Sequence, residues 1–193
     1  WVHLVTKVPA LTILAVVIGV GALAIPIKDL ELALPDLGTE PVGTDARDTY
    51  DLVSEEFGPG YNGPLLVTAD IINTTDPLAV VDELESDISE LDHVKEIQLA
   101  TPNQGADMAV VVVIPEGGPT EQSTKDLVAD LRDSAEGWEE DLSISDVTVT
   151  GATAIGIDVT DKLSAALLPF ALFVVGLSLI LLTLVFRSLW VPL

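Results

Sequence analysis

The side chains able to do chemistry are few in this chain, and they are scattered. His3 and His93 lie far apart in a sequence with no cysteine, whereas a zinc site gathers three or four closely spaced nitrogen, oxygen or sulfur ligands. The acidic runs Glu55-Glu56 and Glu139-Glu140-Asp141 contain no Asp-x-Asp-x-Asn-Gly loop and read as solvated faces. Ser54, Ser86 and Ser123 fall in helical segments without the Gly-x-Ser-x-Gly turn that presents a serine nucleophile. Asn73-Thr74-Thr75 fits the acceptor pattern for N-glycosylation, a three-residue pattern common by chance. The expectation is a segment with no catalytic residue, no cofactor and no bound metal.

The most distinctive stretch is Phe57-Gly58-Pro59-Gly60-Tyr61-Asn62-Gly63-Pro64-Leu65, with three glycines and two prolines in nine residues. Such a composition imposes a bent backbone that neither helix nor strand accepts. It is no phosphate loop, because GxxxxGK[ST] is absent and no lysine is nearby. Gly58, Pro59, Gly60, Asn62, Gly63 and Pro64 therefore read either as a fixed connector between a helix and a strand or as a hinge. Phe57 and Tyr61 are the candidates for lining or gating a path beside it.

The elements that position this stretch begin at the membrane. Leu167 to Phe186 is a run of twenty residues without an ionisable side chain; as a helix it is roughly 30 Å long, the hydrocarbon thickness of a bilayer. A chain of 193 residues is too small to sheath such a helix on every side in a soluble core. Arg187 and Trp190 follow it, as charged and aromatic residues do at a membrane interface. Residues 10–27 form a second uncharged run, ended by Pro26 and Lys28 and longer than the apolar part of a signal peptide. Gly19 and Gly21 in it permit close approach of a neighbouring helix. The predicted order is a lead-in (1–9), a span (10–27), an exit with a short helix and the Gly/Pro connector (28–64), a lobe (65–151), a return segment (152–166), a span (167–186) and a tail (187–193).

Charge separates these parts. The formal net charge is −23, yet all 31 acidic residues and six of the eight basic ones lie within residues 28–162, leaving Lys7 and Arg187 outside. Basic flanks mark the cytoplasmic side, so both ends are expected in the cytoplasm and the acidic part outside it. So acidic a surface excludes nucleic acid, whose phosphates need clustered Lys and Arg, and it disfavours direct docking on anionic lipid. Self-repulsion that keeps the lobe soluble accounts for it most simply.

Within the lobe the pattern alternates. Thr44 caps a helix carrying Ala46, Tyr50, Val53 and Phe57 on one face, with Gly58 as its left-handed stop. Leu65–Asp70 reads as a strand; Asp76-Pro77 opens a helix through Val81, Leu84, Ile88 and Leu91. Val94–Thr101 and Met108–Ile114 read as strands, the second apolar enough to be central. Pro119-Thr120 is expected to start a helix with Leu127, Val128, Leu131, Ala135 and Trp138 inward, and Val147 and Val149 mark a last strand. The fold class is thus α+β: two transmembrane helices bracketing a ferredoxin-like β-α-β-β-α-β lobe with both helices on one sheet face. Gly151 to Leu163, if helical, runs into the second span as a stiff lever.

The phrases LELALPD, TDARDTYDLVSEEFGPGYNGPLLV, TGATAIGIDVTDKL and VFRSLWVPL resemble the MmpL-type branch of the resistance-nodulation-division exporters. The resemblance is strongest from Arg47 to Leu66, through Arg47, Tyr50, Phe57, Gly58, Gly60, Asn62, Gly63 and Pro64. Proteins of that family carry two such halves, and this piece is similar to the span, porter subdomain and span that open the second. The chain opens on Trp1 and stops at Pro192-Leu193, which is read as a piece of a longer polypeptide.

The resemblance implies a multi-pass, proton-driven exporter of lipids or other hydrophobic molecules. Its partners would be membrane lipids, the remaining spans and porter subdomain of the same polypeptide, a hydrophobic substrate and, as an open alternative, further copies of itself. Neither predicted span holds an ionisable residue, so the proton relay is expected elsewhere in the parent protein. A two-span sensor or scaffold with an outer ligand-binding domain is the competing reading. A membrane-bound enzyme would need a catalytic constellation that these residues do not supply.

Overall fold

A computed structural model describes residues 35–187, together with Val16, Ile18, Gly19, Gly21 and Ala22. Those five positions are helical and exposed. The rest of the predicted first span, the lead-in, residues 28–34 and residues 188–193 lie outside the described residues. Residues 1–32 and 33–193 form two compact units, the second of which holds the lobe.

Among the second unit's described residues are four α-helices and four strands. Helix α1 (Asp45–Glu56) starts where the Thr44 hydroxyl accepts the Arg47 amide at 3.3 Å, satisfying a donor that the first turn leaves unpaired. A 3-10 turn over Pro59–Asn62 follows, then strand β1 (Leu65–Asp70). Helix α2 (Pro77–Ser89) has Asp76 as its cap, accepting from the Ala79 amide at 3.2 Å, and Pro77 in its first turn, where a missing N–H costs nothing. Strands β2 (Val94–Pro102) and β3 (Met108–Pro115) form a hairpin; helix α3 (Gln122–Asp141), strand β4 (Ser145–Thr150) and helix α4 (Ala152–Phe186) complete the chain.

The sheet is antiparallel throughout, in the order β2-β3-β1-β4. Its register decides which face is buried. Leu65, Val67 and Ala69 stand opposite Val113, Val111 and Ala109, and Val67 also faces Val149; all seven are buried. Onto them pack Val81, Leu84 and Ile88 of α2 and Leu127, Val128, Leu131 and Trp138 of α3. At about 1.5–3 kcal/mol for each fully buried large aliphatic side chain, this cluster dominates the lobe's stability. The intervening residues Leu66, Thr68, Val110 and Val112 are half-buried, and Leu99 and Met108 are exposed. Alternation of this kind is what a sheet covered on one face demands.

Two expected details differ. Helix α3 begins at Gln122, not at Pro119-Thr120, because Glu116-Gly117-Gly118 is held in a loop: the Glu121 carboxylate accepts the Gly118 amide at 3.0 Å and the buried Thr124 hydroxyl donates to the Gly118 carbonyl at 2.8 Å. Gly58 has φ 108° and ψ 156°, an extended mirror-image conformation open to glycine, instead of a left-handed helical stop. Helix α1 ends at Phe57 in ordinary right-handed geometry, and the Phe57 side chain is 60% exposed where the periodicity predicted it inward.

Helix α4 joins the expected return segment and second span into one element of 35 residues, about 52 Å at the standard rise. It is long and apolar enough to cross a membrane, with a mean hydropathy of 2.6 over its most apolar window. Arg187, in left-handed conformation, ends it.

Candidate functional site at the foot of the long helix

The starts of β1 and β2 and the ends of β3 and β4 share one end of the sheet, and α4 departs from there. The Gly/Pro connector lies at the same end. Asn62 ties it to α1, its side-chain amide donating to the Tyr50 carbonyl at 3.2 Å and the Ser54 hydroxyl at 2.8 Å. The Lys95 ammonium donates to the Phe57 carbonyl and sits 5.2 Å from the centre of the Tyr61 ring, a cation–π distance. Tyr61 donates its hydroxyl to the Glu96 carboxylate. That bond, more than desolvation, raises the Tyr61 pKa above its usual 10.0, because it favours the neutral phenol.

Three glycines allow closer approach than any side chain would. A Cβ on Gly60 would stand inside contact distance of the Pro115 carbonyl oxygen and 2.7 Å from its carbon. One on Gly63 would come within 2.6 Å of the Thr153 hydroxyl oxygen and 2.7 Å of Pro119 Cγ. Gly151, at φ 108°, brings its backbone against the Pro64 carbonyl, which a Cβ would meet at 3.1 Å. The connector is thereby wedged among α1, the end of β3, the loop before α3 and the first turn of α4.

Ahead of α1 the chain is fastened as well. Arg47 donates to the Gly38 carbonyl and to Asp51, the latter at 2.8 Å, while the Tyr50 ring lies against Gly38. Burial, and then the charge of Asp36, raises the Tyr50 pKa. On the far side of the joint, Arg132 of α3 grips Asp158 of α4 with bonds of 2.7 and 2.9 Å. The Arg132 guanidinium lowers the Asp158 pKa, as a bidentate partner does.

Of the residues singled out from sequence, Gly60 and Gly63 are buried, Gly58, Pro59, Tyr61 and Asn62 are half-buried, and Phe57 and Pro64 are exposed. The Phe57 and Tyr61 rings are brought together, 5.6 Å apart and tilted by 47°. His93 Nδ1 lies 3.7 Å from the Glu116 carboxylate; among the described residues no cluster of His, Asp and Glu converges where a metal ion could sit. Sequence reasoning passed over Lys95, Glu96, Arg132, Gly151, Thr153 and Asp158. The scarcity of cations was the available signal: Arg47, Lys95 and Arg132, three of the six basic residues in an acidic stretch, each fasten one segment to another.

Residues 75–193, from the approach to α2 through the end of the chain, match the profile of the MMPL family. The chain is also 40% identical over 194 aligned residues to a protein of Bacillus subtilis (strain 168) called membrane protein YdfJ, a match that takes in all of this chain and 26% of that protein. The chain thus spans about a quarter of the length of its curated relative. With more than half of its residues within the family profile, and with a lobe seated on a helix fit to cross a membrane, the chain belongs to the MMPL family, the MmpL-type branch of the resistance-nodulation-division proteins.

Proposed function

We propose that this segment supplies an extracytoplasmic porter subdomain and its two flanking spans to a proton-driven, multi-pass exporter of lipids or other hydrophobic compounds, as the opening of the exporter's second half. The observation that carries the reading is α4, which runs without a break from the core of the lobe into the apolar stretch. Displacement of the lobe is felt directly by such a helix. We take the lobe as ferredoxin-like, supported by the β-α-β-β-α-β succession and the strand order β2-β3-β1-β4. Residues 28–166 face outward and both ends lie in the cytoplasm in this reading, supported by the confinement of all 31 acidic residues to the middle of the chain.

The connector serves as a joint that carries motion between α1, the sheet and α4, and its packed glycines favour the fixed reading over a freely swinging hinge. The exposed Phe57 ring beside Tyr61 offers an apolar surface to cargo passing outside the membrane. Proton-relay carboxylates belong to other spans of the parent protein.

Topology is the first test, and the absence of cysteine in this chain makes it direct. In the full-length protein on a cysteine-free background, Asp130→Cys is expected to react with a membrane-impermeant maleimide in intact cells, and Lys7→Cys only after permeabilisation. The reverse pattern refutes the assignment. Export that continues after an uncoupler has collapsed the proton gradient refutes the energy source.

A further inference from the structure

The lobe holds α4 by a short and shallow seat. Thr153 and Ala154 are buried and Ile157 packs against the core, but Ile155 is 52% exposed, and from Asp161 to Val175 every residue is exposed. No large side chain of α4 is fully buried in the lobe. The apolar part of the attachment is accordingly thin beside the length of helix it must control.

At the outer edge of this seat stands the Arg132–Asp158 pair. The guanidinium meets the carboxylate in parallel, Nη1 to Oδ1 at 2.7 Å and Nη2 to Oδ2 at 2.9 Å, and Nη2 also donates to the Val149 carbonyl at 3.4 Å. One side chain of α3 therefore touches β4 and α4 together. The two side chains are 38% and 43% exposed. Planar two-point geometry makes such a pair specific, whereas partial exposure leaves it weak enough to open and sensitive to salt. The helix it holds is also locally softened: Gly156 lies within the seated turns, and Pro169, in the first turn of the apolar stretch, leaves the Ala165 carbonyl without its helical donor.

We propose that Arg132 and Asp158 form a breakable clasp. Closed, it makes the first turns of α4 part of the lobe; open, it lets the lobe tilt on the helix, with bending taken up at Gly156 and Pro169. The clasp rests on the exporter reading, in which the lobe moves, and names the contact through which that motion reaches the membrane.

Hydrogen exchange on the full-length protein in lipid nanodiscs tests it. Asp158→Asn, which keeps the side-chain shape, and Arg132→Met, which keeps an apolar stem, are each expected to speed exchange of amides 154–162 roughly two- to fivefold, the effect of losing a pair of this strength. Amides of β3 should exchange as before. The reversed pair, Arg132→Asp with Asp158→Arg, should restore most of the protection, and added salt should accelerate the unmodified protein more than either single variant. Unchanged exchange at 154–162 in the single variants overturns the clasp. Equal acceleration in β3 overturns it too, because the pair would then stabilise the lobe as a whole. The exchange readout needs no transported substrate, so a failed export assay counts against the exporter reading alone.

Discussion

Gly60→Ala probes whether the connector is wedged or free. At this position the backbone is not in the left-handed region that strains ordinary residues, so the cost is one of space. The new methyl would lie 2.7 Å from the Pro115 carbonyl carbon, closer still to its oxygen, and 3.4 Å from the Gly117 oxygen. These neighbours are backbone atoms at the end of β3, so no rotamer change relieves the clash. The connector or the strand end must shift by more than about 1 Å, and overpacking of this kind costs about 3 kcal/mol. Replacing a glycine recovers roughly 0.5–1 kcal/mol by restricting the unfolded chain. The net loss is about 2 kcal/mol, which lowers the melting temperature of a domain of this size by on the order of 10 °C. Buried Trp138 reports on the core, and with Trp1 and Trp190 changed to phenylalanine it becomes the chain's sole tryptophan, so urea or thermal unfolding in detergent can be followed by its fluorescence. If Gly60→Ala unfolds where the parent does, the connector yields without resistance and the joint is a hinge after all.

Gly137, exposed near the C-terminal end of α3, has no atom within 4 Å of an added Cβ; Gly137→Ala should raise stability by roughly 0.5–1 kcal/mol through helix propensity alone, and destabilisation in the same urea titration would show that α3 packs there on something further. The chain has two tyrosines, Tyr50 and Tyr61, whose pKa values are both raised above 10.0. A raised folded-state value means that the interactions favouring the neutral phenol are fully present below about pH 10 and are lost as pH rises through the folded pKa. Ultraviolet titration of tyrosinate on the folded chain should therefore place both midpoints above the unfolded reference; Tyr61→Phe should leave the Tyr50 midpoint alone, and Glu96→Ala should remove most of the displacement at Tyr61. A midpoint for Tyr61 at or below the reference would mean that the Glu96 bond is not held in solution.

Much of the lobe was legible because its periods are clear. Strands at 65–70 and 108–115 carry unbroken apolar runs, Leu65-Leu66-Val67 and Met108 to Ile114, and α2 announces itself by Asp76-Pro77 followed by apolar residues at helical spacing. Where the pattern was weak, local chemistry decided. The loop before α3 ends late because the bonds in which the Gly118 amide donates to Glu121 and its carbonyl accepts from Thr124 compete with a helical turn at Pro119. Strand β2 reads as simple alternation, yet its pairing with β3 shifts register between Ile97 and Leu99, a bulge that no single-strand pattern reveals. The Gly/Pro connector was visible by composition, but its partners were not. Lys95 and Glu96 meet residues 38 and 35 positions away, and side-chain pattern within one element carries no information about separations of that length.

Rare cations are informative in a chain this acidic. An acidic residue in the lobe is surrounded by its own kind and needs no partner to explain it, since solubility accounts for the excess. A basic residue there must either be tolerated in solvent or engaged. Arg47 binds the segment ahead of α1, Lys95 binds the connector, and Arg132 binds the foot of α4. All three use carbonyl oxygens as well as, or instead of, carboxylates. A carbonyl acceptor belongs to the backbone and fixes where a segment runs, whereas a surface carboxylate can find many partners at little gain. Arg47, Lys95 and Arg132 thus stand at joints between segments, two of them, Lys95 and Arg132, at the end of the sheet from which the long helix leaves.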